Sequence, residues 1–457
     1  MKICEPIGVS LPSGGSADLS ATFGDRVERA DAPKAASTPM VLSDDQQRAY
    51  DAALSGRNVF VTGPGGVGKS EVVNQIIEGL RAKGKNVYVT GSTGVAAVRV
   101  GGSTIHSYLG TRLAYSKDSL RASFARDSTP NLSNVAARFG RTDVLVLDEV
   151  SMLTGDYLDM MDWWIKRHRA STKPFGGIQM IFSGDFLQLP PVIKRGGEIE
   201  HRFAFECAPW MKADLDVIHM ETCFRQSDSE FLDHLLQLRR GVVSPAAKKY
   251  FAARVGVELD EPTRLYSTND KVFTVNQSHL SALPGKAKTY EGMVDGNEDY
   301  LERFIKSCIV DFEIDLKVGA PVLFLRNGYE DGALVYVNGQ RGVVVEMHVD
   351  HVLVESNGRT FEVRPVAWEY KDADQKVLCT MYQVPLKLAW AVTIHKSQGM
   401  TMDCLECDVS SCFEDGQVYV ALSRVKTIEG LSLTTGIDSR IVKAAKDAVA
   451  YYDSVEA

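Results

Sequence analysis

Eight consecutive residues match the spacing G-x-x-x-x-G-K-[ST] of a phosphate-binding loop: Gly63, Pro64, Gly65, Gly66, Val67, Gly68, Lys69 and Ser70. Glycines let successive backbone N–H groups turn toward phosphate oxygens, and the N-terminus of a following helix adds partial positive charge. The ammonium of Lys69 would reach the outer phosphates, and the hydroxyl of Ser70 would bind Mg²⁺. The loop therefore predicts a nucleoside triphosphate site, with ATP and Mg²⁺ as the expected ligands.

Two acidic residues end a strongly apolar segment, residues 144–147, which has the character of a buried strand. Asp148 is expected to hold Mg²⁺ through water or with Ser70, and Glu149 to act as general base toward the attacking water. Gln188 follows another apolar segment and is placed to orient that water or to sense the γ-phosphate. A plain ion pair is the alternative for the acids, and the phosphate-binding loop disfavours it.

Parallel β-α-β units are expected to position these groups. An apolar strand, residues 59–61, leads into the loop, and apolar residues at helical spacing follow it from Val72 to Leu80. Gly84 is suited to end that helix, and residues 86–90 have the pattern of the next strand. Such units build parallel sheets, so the fold class that we expect is α/β.

Small polar residues after two predicted strands are suited to contact the backbone of a nucleic acid. Thr93 and Gly94 lie in one such loop and His106 in the next, each among small and hydroxyl-bearing residues. Hydroxyls and backbone amides commonly contact phosphodiester groups, although ordinary turns have the same composition. Gln46 lies at the start of an earlier predicted helix, behind the N-cap Ser43. It could present its amide to an adenine edge, or it could simply be a helical residue.

Three segments depart from the α/β pattern. Residues 1–41 are rich in Ser, Ala, Gly and Pro, and we expect a disordered leader there. Residues 108–140 are polar and weakly periodic, which indicates an insertion. Residues 311–385 consist of short β runs with two Asn-Gly hairpin signals, at positions 338 and 357, and predict a small β-barrel or meander.

Length and composition are those of a globular chain with several domains. The 457 residues carry a net charge of −8, which argues against passive coating of nucleic acid but allows a local basic channel. No apolar run approaches a membrane span. The eight cysteines lack a disulfide-like spacing, so we expect an intracellular, reducing compartment, such as the cytoplasm of a prokaryote or of a phage-infected cell. Cys404 and Cys407 have a metal-type spacing but no second ligand pair, which disfavours zinc.

The ordered set of motifs resembles the Pif1-like helicases, among the superfamily 1 helicases of the 5′-to-3′ class. The resemblance covers residues 42 to about 435 and rests on these segments: LSDDQ, GPGGVGKS, TGSTGVAA, GGSTIHS, LVLDEVSML, PFGGIQ, GDFLQLPPV, FRQ, TIHKSQGMT and YVALSR. The chain departs from the family at residues 65–67, Gly-Gly-Val, where such loops more often read Ala-Gly-Thr. We also expect no large accessory domain. Neither difference touches a catalytic position.

The resemblance implies an ATP-dependent DNA helicase with two RecA-like P-loop lobes that contain parallel sheets. It places lobe 1A at 42–222, with a strand-separating wedge, 1B, at about 108–140. It places lobe 2A at 223–457, with an SH3-like β-barrel insertion, 2B, at about 311–385. ATP and Mg²⁺ would bind between the lobes, and the partners would be single-stranded DNA and tailed or forked duplex DNA. A monomer is expected, away from membranes, with replication or repair proteins as further partners.

The family's motifs also imply roles for residues outside the phosphate-binding loop. Arg225 and Arg424 would reach across the cleft from the second lobe and stabilise charge on the γ-phosphate in the transition state. Gly399 would lie at the nucleotide. Several residues would hold the single strand: Thr93, Gly94, His106, Thr393, His395, Lys396 and Ser397.

Four other functions share parts of this pattern. A RecD- or Dda-like helicase has the same chemistry with different accessory parts, and the PFGGIQ segment favours the Pif1-like family. A DNA-stimulated ATPase without strong unwinding is also compatible with the motifs. A P-loop switch or scaffold ATPase would need neither the HKSQG segment nor two widely spaced arginines. A passive single-strand-binding module would not need hydrolytic acids.

Overall fold

A computed structural model of the protein describes residues 42–111, 120, 132–193, 199–296, 304–305, 308–330, 333–371 and 376–456. The expected leader, 1–41, lies outside these residues. So does most of the expected wedge, at 112–119 and 121–131. Both expectations therefore stay predictions.

The first half of the chain forms a six-stranded sheet in which every pairing is parallel. Its strands are β1 (Asn58–Thr62), β2 (Val87–Gly91), β3 (Ser103–Thr104), β4 (Val144–Asp148), β5 (Gln179–Ser183) and β6 (Leu215–His219). Their order across the sheet is β3-β2-β4-β5-β1-β6. Strand β4 is buried along its whole length, as its unbroken apolar sequence predicts for a strand covered on both faces.

Helices cover both faces of this first sheet. They are α1 (Asp44–Leu54), α2 (Lys69–Ala82), α3 (Gly94–Arg99), α4 (Ile105–Leu109), α5 (Leu132–Arg141), α6 (Gly155–Arg169) and α7 (Ala208–Lys212). Short 3₁₀ turns lie at Val150–Met152, Pro174–Gly177 and Ala204–Glu206. One apolar core contains Val59 of β1, Ala49 of α1 and Val72 of α2. The core on the other face contains Phe60 of β1 and Trp164 of α6, because neighbouring strand residues point to opposite faces.

The second half of the chain has many short strands. They are β7 (Thr263–Tyr266), β8 (Lys288–Glu291), β9 (Met293–Gly296), β10 (Glu313–Leu316), β11 (Pro321–Phe324), β12 (Gly328–Glu330), β13 (Ala333–Tyr336), β14 (Arg341–Met347), β15 (Val352–Ser356), β16 (Arg359–Val363), β17 (Val366–Lys371), β18 (Val377–Gln383), β19 (Leu386–Leu388), β20 (Ala391–Thr393), β21 (Leu405–Cys407) and β22 (Leu431–Leu433). The helices are α8 (Ser229–Arg239), α9 (Pro245–Ala252), α10 (Asn269–Ala282), α11 (Gln417–Leu422) and α12 (Lys446–Glu456), with 3₁₀ turns at Val409–Ser411 and Ile428–Gly430.

Four of these strands form a second parallel sheet in the order β20-β7-β21-β22. The predicted α/β class with two parallel sheets is therefore confirmed. Within the described residues, no helix is both long enough and apolar enough to cross a membrane.

Strands β8 to β19 pair antiparallel, in sheets ordered β16-β15-β14-β11-β19, β17-β18-β9, β10-β8 and β12-β13. The predicted hairpin at Asn357 and Gly358 joins β15 to β16, and both residues have the positive φ (52° and 73°) that a two-residue turn of this kind requires. Antiparallel pairing already begins at β8, before the expected start at 311. An SH3-like arrangement of this region stays a prediction.

The last helix, α12, packs into the core of the first sheet, although sequence order assigns it to the second lobe. Tyr452 is fully buried there, and its hydroxyl lies 2.6 Å from Thr62 Oγ1 at the end of β1. The same hydroxyl accepts a hydrogen bond from Phe186 N–H at 3.2 Å. The chain therefore returns to its first sheet after completing the second.

Candidate active site

The predicted catalytic groups gather at one edge of the first sheet, where the carboxyl ends of its parallel strands meet. The phosphate-binding loop follows β1, Asp148 ends β4, and β5 leads into the segment that carries Gln188 and also Asp185, which was not predicted. Since β4, β5 and β1 are neighbours in the sheet, the three groups lie side by side. Open α/β sheets bind their ligands at this edge.

Three glycines allow the phosphate-binding loop to turn tightly between β1 and α2. Gly63, Gly66 and Gly68 have φ values of 142°, 95° and 78°, which L-residues avoid. A Cβ at Gly63 would also lie 2.4 Å from the carbonyl oxygen of Met220, so glycine is required there. Lys69 begins α2, and its Nζ donates hydrogen bonds to two carbonyls of the loop, at 2.8 and 2.9 Å.

Lys69 is a partly buried cation that a bound polyanion would stabilise. Burial lowers the pKa of its ammonium group to about 8, although the charges of Asp185 and Glu149 act in the opposite direction. Phosphate oxygens in the loop would supply the negative charge that favours the protonated amine. The residues present therefore fit a triphosphate.

Ser70 and Asp148 are the residues that would hold Mg²⁺. Ser70 is the second residue of α2, and the side chain of Asp148 at the end of β4 is only 2% exposed. Within the described residues, no group of three or more His, Cys, Asp and Glu side chains could hold a metal ion by itself. Mg²⁺ needs few protein ligands when phosphate oxygens and water complete its shell, so this pair suits it.

Arg99 lies between the two acids and was not among the predicted site residues. Its Nη2 is 2.7 Å from Asp148 Oδ2 and 2.8 Å from Glu149 Oε1. Glu149 also accepts a hydrogen bond on Oε2 from Gln398 Nε2, at 3.2 Å. A Cβ on Gly399 would lie 2.7 Å from Nη1 of Arg99, so this glycine, which was expected at the nucleotide, packs on the guanidinium. No motif spacing in the sequence connects these residues.

The backbone of Glu149 is in the left-handed region, with φ 54° and ψ 44°. Such a conformation is uncommon for a residue with a side chain, and it occurs in turns as well as at active sites. It directs the chain from β4 into the 3₁₀ turn Val150–Met152. The carboxylate is thereby held at the edge of the sheet, beside the phosphate-binding loop.

Arg225 and Arg424 both reach the phosphate-binding loop. A Cβ on Gly65 would lie 3.2 Å from Nη2 of Arg424 and 3.3 Å from Nη1 of Arg225. Arg424 is buried, and burial, together with the neighbouring charge of Arg225, lowers its pKa to about 9. In the described part of the chain, the two guanidinium groups donate to carbonyl and hydroxyl oxygens rather than to carboxylates. Their charges therefore remain available to an anion in the loop.

Gln46 connects the start of α1 with the phosphate-binding loop. Its Oε1 accepts a hydrogen bond from Ser43 N–H at 3.1 Å, which is half of a capping box, and its Nε2 donates to Val67 O at 3.4 Å. Its contact with adenine stays a prediction.

Phe224 lies against the phosphate-binding loop and was not among the predicted site residues. It is 61% exposed, and its ring would lie 3.7 Å from a Cβ on Gly68. The sequence feature that could have identified Phe224 is its position directly before Arg225 in the FRQ segment.

Gln188 points toward Asp185. Its Nε2 donates to Asp185 Oδ2 at 3.1 Å, and Arg239 holds the same carboxylate through hydrogen bonds of 2.8 and 3.0 Å. Burial would raise the pKa of Asp185, but Arg239, Lys69 and the hydrogen bond from Gln188 together outweigh it, and the pKa falls below its usual value. A direct role of Gln188 toward water or the γ-phosphate stays a prediction.

The predicted DNA contacts near the first sheet differ in their surroundings. Thr93 Oγ1 accepts a hydrogen bond from Ala96 N–H at 3.2 Å and so stabilises the first turn of α3, which Gly94 begins. His106 packs against Tyr157, with ring centroids 4.8 Å apart, and burial lowers its pKa to about 4. Near pH 7 the imidazole is therefore neutral and could meet a phosphate only as an uncharged donor.

The second group of predicted DNA contacts forms the turn after β20. Thr393 Oγ1 accepts a hydrogen bond from Lys396 N–H at 3.2 Å, and His395 Nε2 lies 3.2 Å from Glu414 Oε2. Ser397 is fully buried, and its hydroxyl donates to a carbonyl of the same turn. Contact of these residues with DNA stays a prediction, and for Ser397 it would require that internal bond to break.

Comparison with known proteins identifies relatives along most of the chain. The profile of the PIF1-like helicase family matches residues 41–249. ATP-dependent DNA helicase PIF1 of Xenopus laevis is 34% identical over 423 residues, which cover 91% of this chain and 64% of that protein. ATP-dependent DNA helicase Pif1 of Bdellovibrio bacteriovorus is 34% identical over 395 residues, which cover 86% of this chain and 87% of that protein. The chain thus spans less than two thirds of the Xenopus protein and most of the bacterial one.

Solved structures of a bacterial relative resemble the whole arrangement. Pif1 from Bacteroides sp in complex with ADP-AlF4 is 27% identical and superposes with a TM-score of 0.78, covering 91% of this chain and 97% of that one. Bacteroides Pif1 bound to ssDNA has the same identity and coverage and a TM-score of 0.64. The arrangement of this chain is thus more similar to the ADP-AlF4 complex than to the complex with DNA.

Proposed function

This chain belongs to the PIF1-like helicase family, and from that premise we propose that it is an ATP-dependent DNA helicase. The prediction of this family over the RecD- or Dda-like alternative is confirmed. We infer that the protein hydrolyses Mg-ATP at the edge of the first sheet, moves 5′ to 3′ along single-stranded DNA and thereby unwinds duplex DNA.

The observation that carries this proposal is the convergence of Arg225 and Arg424 on the phosphate-binding loop at Gly65. The loop belongs to the first sheet, whereas Arg424 directly follows α11, between strands of the second. A phosphoryl group in the loop would therefore lie between cations from both parts of the chain. Hydrolysis would be fast only when the two parts are close together, which links the reaction to their relative movement.

The side chains have positions that suit separate tasks in hydrolysis. Lys69 and Ser70 would hold the outer phosphates and Mg²⁺, and the bound ion would neutralise charge on the phosphate oxygens. Glu149 would accept a proton from the water that attacks phosphorus. Arg225 and Arg424 would stabilise the negative charge that develops during transfer.

Two turns near this site are proposed to hold single-stranded DNA. One turn, at Thr93 and Gly94, leads into α3, and the other, residues 393–397, begins at the last residue of β20. Both lead directly to residues in contact with Glu149, namely Arg99 and Gln398. Solved Pif1 structures bound to ssDNA and at forked dsDNA support tailed or forked duplexes as substrates. The 5′-to-3′ direction rests on family membership.

We also propose the cellular setting in which the protein acts. We infer that it works as a monomer in a reducing compartment, with replication or repair proteins as partners. All seven cysteines of the described residues are unpaired, which suits such a compartment.

ATP hydrolysis and strand separation by the purified protein test this function. We expect single-stranded DNA to stimulate hydrolysis, and unwinding of duplexes with a 5′ tail but not of those with a 3′ tail. Lys69→Ala should abolish hydrolysis while keeping the thermal unfolding transition. Unwinding of only 3′-tailed duplexes would contradict the direction. Stimulated hydrolysis without strand separation would instead identify a DNA-stimulated ATPase, and an active Lys69→Ala variant would refute the assigned site.

A further inference from the structure

A single nitrogen of Arg99 bridges the two acids of the candidate active site. The distances from Nη2 are 2.7 Å to Asp148 and 2.8 Å to Glu149, whose side chains are only 2% and 13% exposed. The side chain of Arg99 itself is 29% exposed, so two largely buried carboxylates share one partly exposed guanidinium.

Both acids have tasks that this contact obstructs. Asp148 is expected to face Mg²⁺, and Glu149 has to accept a proton from water. A guanidinium and a divalent cation at the same carboxylate repel each other. The hydrogen bond from Arg99 likewise occupies Oε1 of Glu149, an oxygen that could otherwise accept a proton from water. Arg99 therefore has to withdraw before both acids can act.

A short rigid element connects Arg99 to a predicted DNA contact. Arg99 is the last residue of α3, Gly94 is the first, and Thr93 stabilises the first turn of the helix. At 1.5 Å per residue the helix is about 9 Å long, so the DNA-contacting turn and the guanidinium lie at its two ends. A rotation of α3 caused by a phosphate at Thr93 would move Arg99.

The turn after β20 encloses the same guanidinium from the other side. A Cβ on Gly399 would lie 2.7 Å from Nη1 of Arg99, and Gln398 donates a hydrogen bond to Glu149 at 3.2 Å. These two residues directly follow the predicted DNA contacts His395, Lys396 and Ser397. Both DNA-contacting segments therefore end on the pair formed by Arg99 and Glu149.

We propose that Arg99 is a positioning residue that keeps Asp148 and Glu149 engaged until single-stranded DNA contacts α3 and the turn at Gly399. Arg99 then competes with Mg²⁺ for Asp148, and DNA relieves that competition. Hydrolysis consequently waits for DNA. This inference rests on the proposed helicase function and adds a regulatory step to the same site.

Arg99→Gln tests the proposal because it keeps an amide donor and removes the charge. The matched control is Arg57→Gln, which removes an arginine paired with Asp216 just before β1, at the end of the strand opposite the loop. Binding of a fluorescent ATP analogue is titrated with Mg²⁺ in the absence of DNA. We expect the half-saturating Mg²⁺ concentration of Arg99→Gln to fall about fivefold or more, a modest coupling between sites. The control should stay at the wild-type value.

Affinity for a fluorescent single-stranded oligonucleotide, with and without Mg-nucleotide, gives a second measurement that does not depend on turnover. If DNA increases the affinity for Mg-nucleotide, thermodynamic linkage requires that Mg-nucleotide increases the affinity for DNA by the same factor. This factor should drop toward one in Arg99→Gln. Arg99→Lys, which keeps the charge, should retain most of it. In hydrolysis assays, Arg99→Gln should raise the rate without DNA and so reduce the stimulation by DNA.

The same titration with wild-type protein is a test that no folding defect can affect. Single-stranded DNA should lower the half-saturating Mg²⁺ concentration of the wild type about fivefold. An unchanged Mg²⁺ requirement in the wild type with DNA, or in folded Arg99→Gln without it, overturns the proposal. Equal losses of nucleotide binding in Arg99→Gln and Arg99→Lys would also overturn it, because they indicate a purely structural role. Failure of the helicase function itself is a separate outcome, since the wild type would then either not hydrolyse ATP with any DNA or hydrolyse it without separating strands.

Discussion

Glu149 combines a left-handed backbone with a carboxylate shared between Arg99 and Gln398. Glu149→Gln keeps the shape of the side chain but cannot accept a proton. We expect nucleotide binding to persist and turnover to fall about a hundredfold or more, as is usual when a general base is lost. Single-turnover hydrolysis and equilibrium binding measure the two effects. The exposed Glu258→Gln is the control, and normal turnover in Glu149→Gln would show that another group is the base.

His106 makes the stability of the protein depend on pH. Burial lowers its pKa from the usual 6.5 to about 4, so the folded state binds fewer protons than the unfolded state between these values. The stability that it contributes is fully present above pH 6.5 and is lost as the pH falls toward 4. A difference of about 2.5 in pKa corresponds to about 3 kcal/mol in the free energy of unfolding.

His106→Phe keeps a ring against Tyr157 and removes this titration. Between pH 7 and pH 5, wild type should lose about 2 kcal/mol more unfolding free energy than the variant. Denaturant unfolding at the two pH values measures the difference. The same change at the exposed His279 serves as the control. Equal pH dependence in wild type and His106→Phe would mean that His106 is protonated in the folded protein near pH 5.

The helix α12 stabilises the first sheet through one buried hydroxyl. Tyr452 Oη lies 2.6 Å from Thr62 Oγ1, accepts from Phe186 N–H and lies 3.4 Å from Asp185 Oδ1. Burial raises the pKa of this phenol, which therefore stays protonated and can donate one hydrogen bond. The end of β1, the residues after β5 and the terminal helix thus share one polar centre inside an apolar core.

Tyr452→Phe should lower the free energy of unfolding by about 1–3 kcal/mol, because buried partners lose a hydrogen bond without gaining water. Denaturant unfolding measures this change. Tyr329→Phe, at a side chain that is 54% exposed, should change stability by less than about 0.5 kcal/mol. If Tyr452→Phe is as stable as the wild type, water or a shift of α12 compensates for the hydroxyl.

At the scale of the whole molecule, the two parallel sheets meet at the phosphate-binding loop through Arg424 and Arg225. Such arginines act mainly in the transition state, so Arg424→Ala should lower kcat about a thousandfold while nucleotide Kd changes far less. Arg440→Ala, at an exposed arginine of the same half of the chain, should leave both values unchanged. Weaker binding with normal turnover in Arg424→Ala would instead make Arg424 a ground-state ligand.

The amino-acid sequence by itself determined the local features of this protein. The glycine positions of the phosphate-binding loop, the apolar strand before Asp148 and the hairpin at Asn357 depend on backbone angles and burial within a few residues. Such features are encoded where they occur, because φ preferences and side-chain periodicity act locally. The α/β class followed from the β-α-β pattern, the family followed from the order of the motifs, and the two lobes with parallel sheets followed from the resemblance to that family.

Only the tertiary structure decided which distant side chains meet. Arg99 between the acids, Tyr452 beside Thr62 and Arg239 on Asp185 pair residues from different elements, and no spacing in the chain encodes these contacts. Strand order and helix packing bring them together, and burial then changes their chemistry. The same reason explains why the sequence did not show that His106 and Ser397 are enclosed. Both were predicted as DNA contacts, but both are largely enclosed once the helices and turns pack. Side-chain type predicts what a group can do, whereas its neighbours in the fold decide what it is free to do.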